Sequence, residues 1–165
     1  MSKWVNSDGL LVKSGPDEAT PAKAGAYVLE STNEHTIEAI INWNKFEAYG
    51  TDTILSDTLV IPDGARITSV KVYVDTAFTS GGSATLIVGL KRTDRSTAYD
   101  ADGLVASTAV ASLTSGATIT GSGALVNTTL AYDALLTATV GTADFTAGKA
   151  KIVVTYYNAT SGTHS

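Results

Sequence analysis

The chain has 165 residues and no cysteine, so we expect one domain with a sizeable core and exclude disulfides and thiolate metal sites. A net charge of −5 with only 11 Lys and Arg argues against a nucleic-acid interface, which needs clustered cations. No segment approaches the roughly 20 apolar residues of a membrane helix, and no signal peptide is visible. The 25 Thr and the 16% charged residues predict strands with a weakly charged exterior that rests against other protein.

The first 25 residues predict an appendage to the main domain. Residues Lys3 to Lys13 alternate as a short hairpin, with Asp8-Gly9 suited to the positive φ of a tight turn. Ser14 to Gly25 contains two of the three prolines and no periodicity, which is typical of a linker or extended arm. We therefore expect a hairpin and arm over 1–25, a β-sandwich over 26–160 and a short tail over 161–165.

The next segment predicts a half-buried strand from Thr36 to Trp43. One parity holds Ile37, Ala39, Ile41 and Trp43, so these side chains, including the tryptophan, are expected in the core. A helix is the alternative, but its apolar stripe would stop after one turn. Thr58 to Ile61 is a short apolar run that ends at a Pro-Asp-Gly turn.

The clearest strand pair lies between Arg66 and Leu90, with Gly81-Gly82 as its turn. Val70, Val72 and Val74 share one parity, and after Gly81-Gly82 the inward parity passes to Ala84, Leu86, Val88 and Leu90. Later apolar runs, separated by turn signals, predict five more strands, at Leu104–Leu113, Ala117–Thr120, Leu125–Leu130, Ala134–Val140 and Lys149–Tyr157. About eight strands in this length favour an antiparallel β-sandwich with a jelly-roll topology, with an immunoglobulin-like topology as the alternative.

Chemistry-bearing motifs are sparse, and we predict neither an enzyme nor a cofactor. His35 and His164 are the two histidines; His35 beside Glu34 could act as an acid or base, but a solvated histidine at a strand end is the simpler interpretation. Asp94, Asp100 and Asp102 allow an irregular calcium site, although an Asx-type turn explains the same residues. Nothing in the sequence supports nucleotide binding or a catalytic triad.

Exposed aromatic residues are the remaining candidates for function, because Tyr and Trp anchor protein interfaces and form stacking platforms for sugars. Tyr73 lies opposite the inward valines, and Tyr156 and Tyr157 must face opposite sides of their strand. We predict six interface residues, namely Trp4, Leu10, Leu11, Tyr73, Tyr156 and Tyr157.

Four phrases together resemble the small β-sandwich virion proteins of tailed bacteriophages, of the head decoration or cement type. They are "DTLVIPDGARITSVKVYVDTAF", "SATLIVGL", "DADGLVA" and "TAGKAKIVVTYY", and the resemblance covers about residues 52–157. It implies a protein made in the host cytoplasm that binds the outer capsid surface as a homotrimer. There it would bridge subunits of the major capsid protein, without nucleic-acid or membrane partners. The alternative is a carbohydrate- or receptor-binding module of a phage head or tail fibre that uses Tyr73, Tyr156 or Tyr157.

Overall fold

The computed structural model describes residues 2–5, 11–14 and 34–158. The N-terminal part contains strands β1 (Ser2–Val5) and β2 (Leu11–Ser14), which pair antiparallel with Trp4 opposite Val12. This pairing is the one that the predicted hairpin requires, while its Asp8-Gly9 turn and the predicted arm lie outside the described residues. This hairpin belongs to one unit of the chain, Met1–Thr32, and the sandwich belongs to another, Asn33–Ser165.

Nine strands and two short 3₁₀ turns make up the described part of the second unit. The turns span Trp43–Lys45 and Val110–Ser112. Nothing in the described residues forms a helix able to cross a membrane. The strands are β3 (Glu34–Asn42), β4 (Asp52–Ile54), β5 (Val60–Ile61), β6 (Ala65–Ser80), β7 (Thr85–Arg92), β8 (Ala98–Ala109), β9 (Thr118–Thr120), β10 (Ala134–Gly141) and β11 (Phe145–Asn158).

The nine strands form two antiparallel sheets. Sheet I has the order β3-β11-β6-β9, and sheet II has the order β4-β10-β7-β8, with β5 also pairing with β10. If β4 and β5 are counted as one broken strand, each sheet has four strand positions. The chain crosses from one sheet to the other at every connection except that between β7 and β8. This is the double Greek key of a jelly roll, so the predicted β-sandwich is confirmed and its order differs from the immunoglobulin one.

The core lies between the two sheets, on the faces that the alternation predicts. In sheet I, Val70, Val72 and Val74 are at most 2% exposed, and Ile152 of the neighbouring β11 is fully buried. In sheet II, the inward residues Ala84, Leu86, Val88 and Leu90 are at most 1% exposed. Burial of each valine or leucine contributes about 1.5–3 kcal/mol to stability. A one-residue shift in strand register would expose these side chains, so their burial fixes the register.

The prediction that β6 and β7 form a strand pair is wrong, because these two consecutive strands are not hydrogen-bonded partners. β6 pairs with β11 and β9 in sheet I, while β7 pairs with β10 and β8 in sheet II. The Gly81-Gly82 segment therefore carries the chain from one layer to the other and does not close a hairpin. The valines of β6 and the inward leucines of β7 belong to the same core cluster.

The predicted strand at Leu125–Leu130 is absent from the described structure. A single bridge joins Thr129 to Arg66, and the segment otherwise turns, with backbone bonds from Val126 N to Gly123 O (3.1 Å) and from Thr128 N to Leu125 O (3.2 Å). Asn127 has φ +66°, a left-handed conformation that interrupts extended backbone. The apolar run is explained by packing, since Leu130 is buried.

Strand β8 folds over the outer face of sheet II. Val88 and Leu90 of β7 lie opposite Val105 and Asp100 of β8, so the intervening β8 residues bulge out of the ladder. A Cβ on Gly89 would collide with the carbonyl oxygens of Asp100 and Ala101, which places the bulge directly on this glycine. Within sheet II, all residues of β10 from Ala134 to Val140 are buried, on both faces. Much of this outer face is therefore covered by the chain itself.

Candidate interaction surfaces

The outer face of sheet I is the open face of the sandwich. Lys151 of β11 lies opposite Ile40 of β3 on one side and opposite Tyr73 of β6 on the other, and Tyr73 in turn lies opposite Thr118 of β9. Residues paired in this way share a face, so these four side chains form one row across the sheet. Ile40 is 63% exposed and Tyr73 is 42% exposed, which leaves two large apolar side chains in solvent.

Further rows extend this face along β11. Val153 lies between Glu38 and Lys71, and Tyr157 lies between Glu34 and Arg66. Tyr157 is 37% exposed, and six residues of extended strand separate it from Lys151, or about 20 Å at 3.3 Å per residue. The face therefore has the spread of a protein interface, with Tyr73 and Tyr157 well separated along it.

Cations are concentrated on this face. Residues 34–158 contain eight Lys and Arg against twelve Asp and Glu, and four of those eight cations lie on the outer face of sheet I. Its acidic residues are three, so the face is close to neutral while the rest of the sandwich is acidic. The residues are Arg66, Lys71, Lys149 and Lys151 with Glu34, Glu38 and Asp75.

Two of the lysines are oriented by neighbours on the same face. Lys151 Nζ lies 3.4 Å from Glu38 Oε2, and Lys71 Nζ donates to Thr120 Oγ1 at 2.7 Å. An exposed ion pair contributes at most about 1 kcal/mol to stability, so these contacts order the side chains more than they stabilise the sandwich. The oriented cations next to exposed tyrosines can pair with carboxylates of a docked protein.

The outer side of the second sheet carries a more buried ion pair. On its outer side Asp52 Oδ1 accepts a hydrogen bond from Thr139 Oγ1 at 2.7 Å, and Asp52 Oδ2 lies 3.5 Å from Lys91 Nζ. Asp52 and Lys91 are about one-fifth exposed, so their charges are already paired within the chain. Sheet II also exposes Val60, at 38%. The Lys151–Glu38 pair of sheet I is the more exposed of the two ion pairs, at 40% and 57%, so its charges are more accessible to a partner.

The six predicted interface residues fall into three groups. Tyr73 lies on the outer face of sheet I, as its parity predicts, and Tyr157 lies on the same face. Trp4 and Leu11 lie in the hairpin strands, and Leu10 is outside the described residues. Tyr156 is only 8% exposed and has the inward parity of β11, so it is not a surface anchor of the isolated chain. Its ring stacks on His35 at 5.4 Å between centroids, and burial raises the pKa of its hydroxyl.

A third surface lies at one end of the sandwich, and the sequence did not predict it. The connections β3–β4, β6–β7, β8–β9 and β10–β11 all meet at this end. Trp43 is here and is 45% exposed, contrary to the core position predicted for it. The reason is that β3 ends at Asn42, and the 3₁₀ turn that begins at Trp43 breaks the alternation. Asn on both sides of the tryptophan was the available signal for a strand end.

Trp43 borders a cavity of about 250 Å³ that opens to solvent. Phe46, Val140 and Phe145 supply apolar lining, and Asn44, Glu47 and Asp144 supply polar lining. A second depression of about 270 Å³, lined in part by Ile40 and Phe46, lies next to it. Tyr49, in the same connection as Glu47, is 57% exposed.

The residues considered for catalysis or metal binding occupy ordinary structural positions. His35 is exposed near the start of β3, as predicted, and neither cavity is lined by it. Asp94 forms an Asx-type turn, accepting from the backbone N of Thr97 (2.8 Å) and Ser96 (2.9 Å) and from Thr97 Oγ1 (2.7 Å). These hydrogen bonds, chiefly those from Thr97, lower the pKa of Asp94 to about 2.

The other two aspartates of that cluster also fit a turn. Asp100 Oδ1 accepts from the backbone N of Asp102 at 3.3 Å. Burial, together with the neighbouring Asp102, raises the pKa of Asp100. Across residues 34–158 no group of three or more His, Asp or Glu side chains is arranged to hold a metal ion. The turn interpretation therefore explains the cluster.

The fold is similar to chains in three solved phage capsid structures. They are a chain of the acidic stable capsid of Helicobacter pylori bacteriophage KHP30 (15% identity, TM-score 0.54), a chain of the capsid of Ralstonia phage GP4 (18%, 0.58) and a chain of the cyanophage Pam1 capsid asymmetric unit (15%, 0.57). The matches cover 79%, 83% and 86% of this chain and 91%, 92% and 96% of those chains, respectively. At these identities the likeness concerns the fold. No protein-family model and no curated protein matches the sequence.

Proposed function

We propose that this protein is a structural component of a bacteriophage virion, a decoration or cement protein that binds the outer capsid surface. The observation that carries the proposal is the shared fold: the jelly roll corresponds to more than nine-tenths of a chain in each of three phage capsid structures. A jelly roll alone does not define a function, because capsid and lectin domains both use it. The surface properties of this chain supply the remaining support.

The outer face of sheet I is the docking surface in this proposal. It combines the exposed Tyr73 and Tyr157, which suit interface anchors, with half of the cations of the described sandwich. The partner is the major capsid protein, and the protein forms a homotrimer that bridges neighbouring capsid subunits. Bridging stabilises the shell because several contacts must break together before a subunit can leave.

No catalytic step belongs to this function. The carboxylates of Asp94 and Asp100 accept hydrogen bonds within turns, and His35 stacks on a tyrosine and lines neither cavity. The protein is made in the host cytoplasm and acts as a mechanical component of the particle.

Quantitative mass spectrometry of purified particles tests the proposal. A decoration protein occupies a site repeated by the capsid symmetry, so we expect on the order of hundreds of copies per particle. A fibre component would be present at about tens of copies, which would favour a receptor-binding role. Complete absence from the particles would overturn any virion function.

A further inference from the structure

We propose that the loop end of the sandwich around Trp43 is a binding site for a neutral carbohydrate. This site lies at the ends of the strands, next to the outer face of sheet I, and it does not depend on the virion role. Trp43 is 45% exposed at the edge of a cavity of about 250 Å³. Burying such a side chain would stabilise the protein by about 1.5–3 kcal/mol, so core packing does not account for its position.

The cavity has a firm apolar floor. Phe145 is 4% exposed, and its ring lies 4.7 Å from the ring of Phe78 and 5.7 Å from that of Phe46, measured between centroids. Val140 is 1% exposed and belongs to β10, an interior strand of sheet II. The floor is therefore part of the core, and its shape does not depend on loose surface side chains.

The connection that forms the rim is also fixed by hydrogen bonds. Tyr49 N donates to Asp144 Oδ1 at 2.9 Å, Gly50 N donates to Val140 O at 2.7 Å, and Glu47 N donates to Thr53 Oγ1 at 2.8 Å. Gly50 has φ +81°, a conformation that glycine adopts without strain. A rim held in this way is largely pre-formed, which lowers the entropy lost when a ligand binds.

The chemistry of the lining selects the class of ligand. The negative face of an indole ring attracts the weakly positive C–H groups on one face of a sugar ring. Asn44, Glu47 and Asp144 also line the cavity. Asp144 Oδ1 already accepts from Tyr49 N, and the remaining amide and carboxylate groups of these residues are of the kind that hydrogen-bond hydroxyls. The residues that line the cavity include Glu47 and Asp144 and no Lys or Arg, so the site disfavours phosphate, sulfate and acidic sugars.

The size of the site also favours a sugar over a protein partner. A volume of about 250 Å³ lies just below the range of roughly 300–1,000 Å³ that is usual for drug-sized ligands, and it suits one sugar ring of a longer glycan. Protein hot spots cluster in fully desolvated, well-packed contacts, where an unpaired carboxylate is costly. The polar lining of this cavity is better matched by hydroxyl groups than by an apolar side chain.

Tryptophan fluorescence provides a direct test. The chain has two tryptophans, so a Trp4→Phe variant leaves Trp43 as the sole indole fluorophore. We expect at least one of D-glucose, D-galactose, D-mannose and N-acetyl-D-glucosamine, at millimolar concentrations, to change its emission saturably. The full-length protein should also retain a neutral glycan on a glycan array.

Variants then locate the binding. These variants keep Trp4, and binding of the same sugar is measured by calorimetry. Trp43→Ala should weaken binding at least tenfold, and Glu47→Gln should weaken it severalfold. The Glu47→Gln variant keeps the proposal testable if Trp43→Ala fails to fold. Tyr73→Ala, on the outer face of sheet I, should bind the sugar like the wild type.

Three results would overturn the proposal. The first is that none of the four sugars alters the emission and no glycan on the array is retained. The second is that Trp43→Ala and Glu47→Gln, both folded, bind the sugar as tightly as the wild type. The third is that Trp43→Ala loses attachment to particles while the wild type binds no glycan, which would identify this end as a protein interface.

Discussion

The bulge of β8 over Gly89 predicts that a substitution at this glycine lowers stability. The choice of sheet I as the docking face depends on this bulge, because the bulge covers part of the outer face of sheet II. A Cβ at position 89 would meet the carbonyl oxygens of Asp100 and Ala101. Backbone cannot swing aside as the end of a flexible side chain can, so in a Gly89→Ala variant the bulge itself must move. Overpacking usually costs 1–3 kcal/mol, and we expect about 3 kcal/mol because the obstructing atoms are backbone.

The length of the sandwich determines how far this cost lowers the melting temperature, Tm. Unfolding entropy near 60 °C is about 2.1 cal/mol/K per residue, so for a sandwich of this length 1 kcal/mol shifts Tm by roughly 4 °C. Gly89→Ala should therefore lower Tm by about 10 °C, measured by circular dichroism at neutral pH. Urea unfolding should show a lower midpoint with an unchanged slope, since the surface exposed on unfolding stays the same.

Gly81→Ala is the matched control. Gly81 lies in the connection between β6 and β7, with ordinary φ and no atom within 4 Å of an added Cβ. Both substitutions reduce the entropy of the unfolded chain alike, so this effect cancels in the comparison. We expect Gly81→Ala to stay within about 2 °C of the wild type. Equal Tm values for the two variants would refute the placement of the bulge and reopen sheet II as a docking surface.

Three other predictions address the surfaces and the turns. Deleting Ser2 to Gly25 should leave the circular dichroism and Tm of the sandwich unchanged but reduce occupancy on capsids, measured by particle binding; wild-type occupancy would contradict this. Tyr73→Ala or Tyr157→Ala should weaken capsid attachment severalfold without lowering Tm, whereas Tyr132→Ala, elsewhere on the surface, should attach normally. The Asp94 carboxyl should titrate near pH 2 by NMR, because hydrogen bonds from Thr97 and Ser96 favour its ionised form. Its contribution to stability is therefore present above its unfolded pKa of about 3.9 and is lost as pH falls through 2; a midpoint near 4 would disprove the turn.

The sequence predicted the strands well because alternation is a local signal. The valines of β6, the leucines of β7 and the end of β11 each repeat every second residue, and burial follows that period in the structure. Sheet membership is a long-range property and could not be read in the same way. A Gly-Gly segment permits both a hairpin and a crossing between layers, and the pairing of β6 with β11 decides between them.

Departures from alternation explain the other errors. The apolar residues of Leu125–Leu130 pack against the core from a turn, where Asn127 is left-handed. The bulge of β8 has no periodic signature, because its course is set by contact with Gly89 in another strand. In both segments the hydrophobic content of the sequence indicated burial, but it did not indicate the conformation of the backbone.

The candidate surfaces were predicted unevenly for the same reason. Tyr73 alternates with the inward valines of β6, so parity alone places it outside. Parity also shows that Tyr156 and Tyr157 cannot share a face, but a single strand does not indicate which side is the core. Trp43 was assigned to the core because the alternation was extended one residue beyond the end of β3.

The two proposed activities use different sides of the sandwich, and this separation follows from the jelly-roll topology. Sheet I presents side chains perpendicular to its strands, whereas the Trp43 cavity lies where four connections meet at the ends of the strands. A partner that covers Tyr73 and Lys151 need not cover the loop end. A glycan site on a docked protein could therefore face solvent, and symmetry would repeat it over the particle. Because many weak sites act together through avidity, millimolar affinity for one sugar ring would suffice for attachment to a glycan-coated surface.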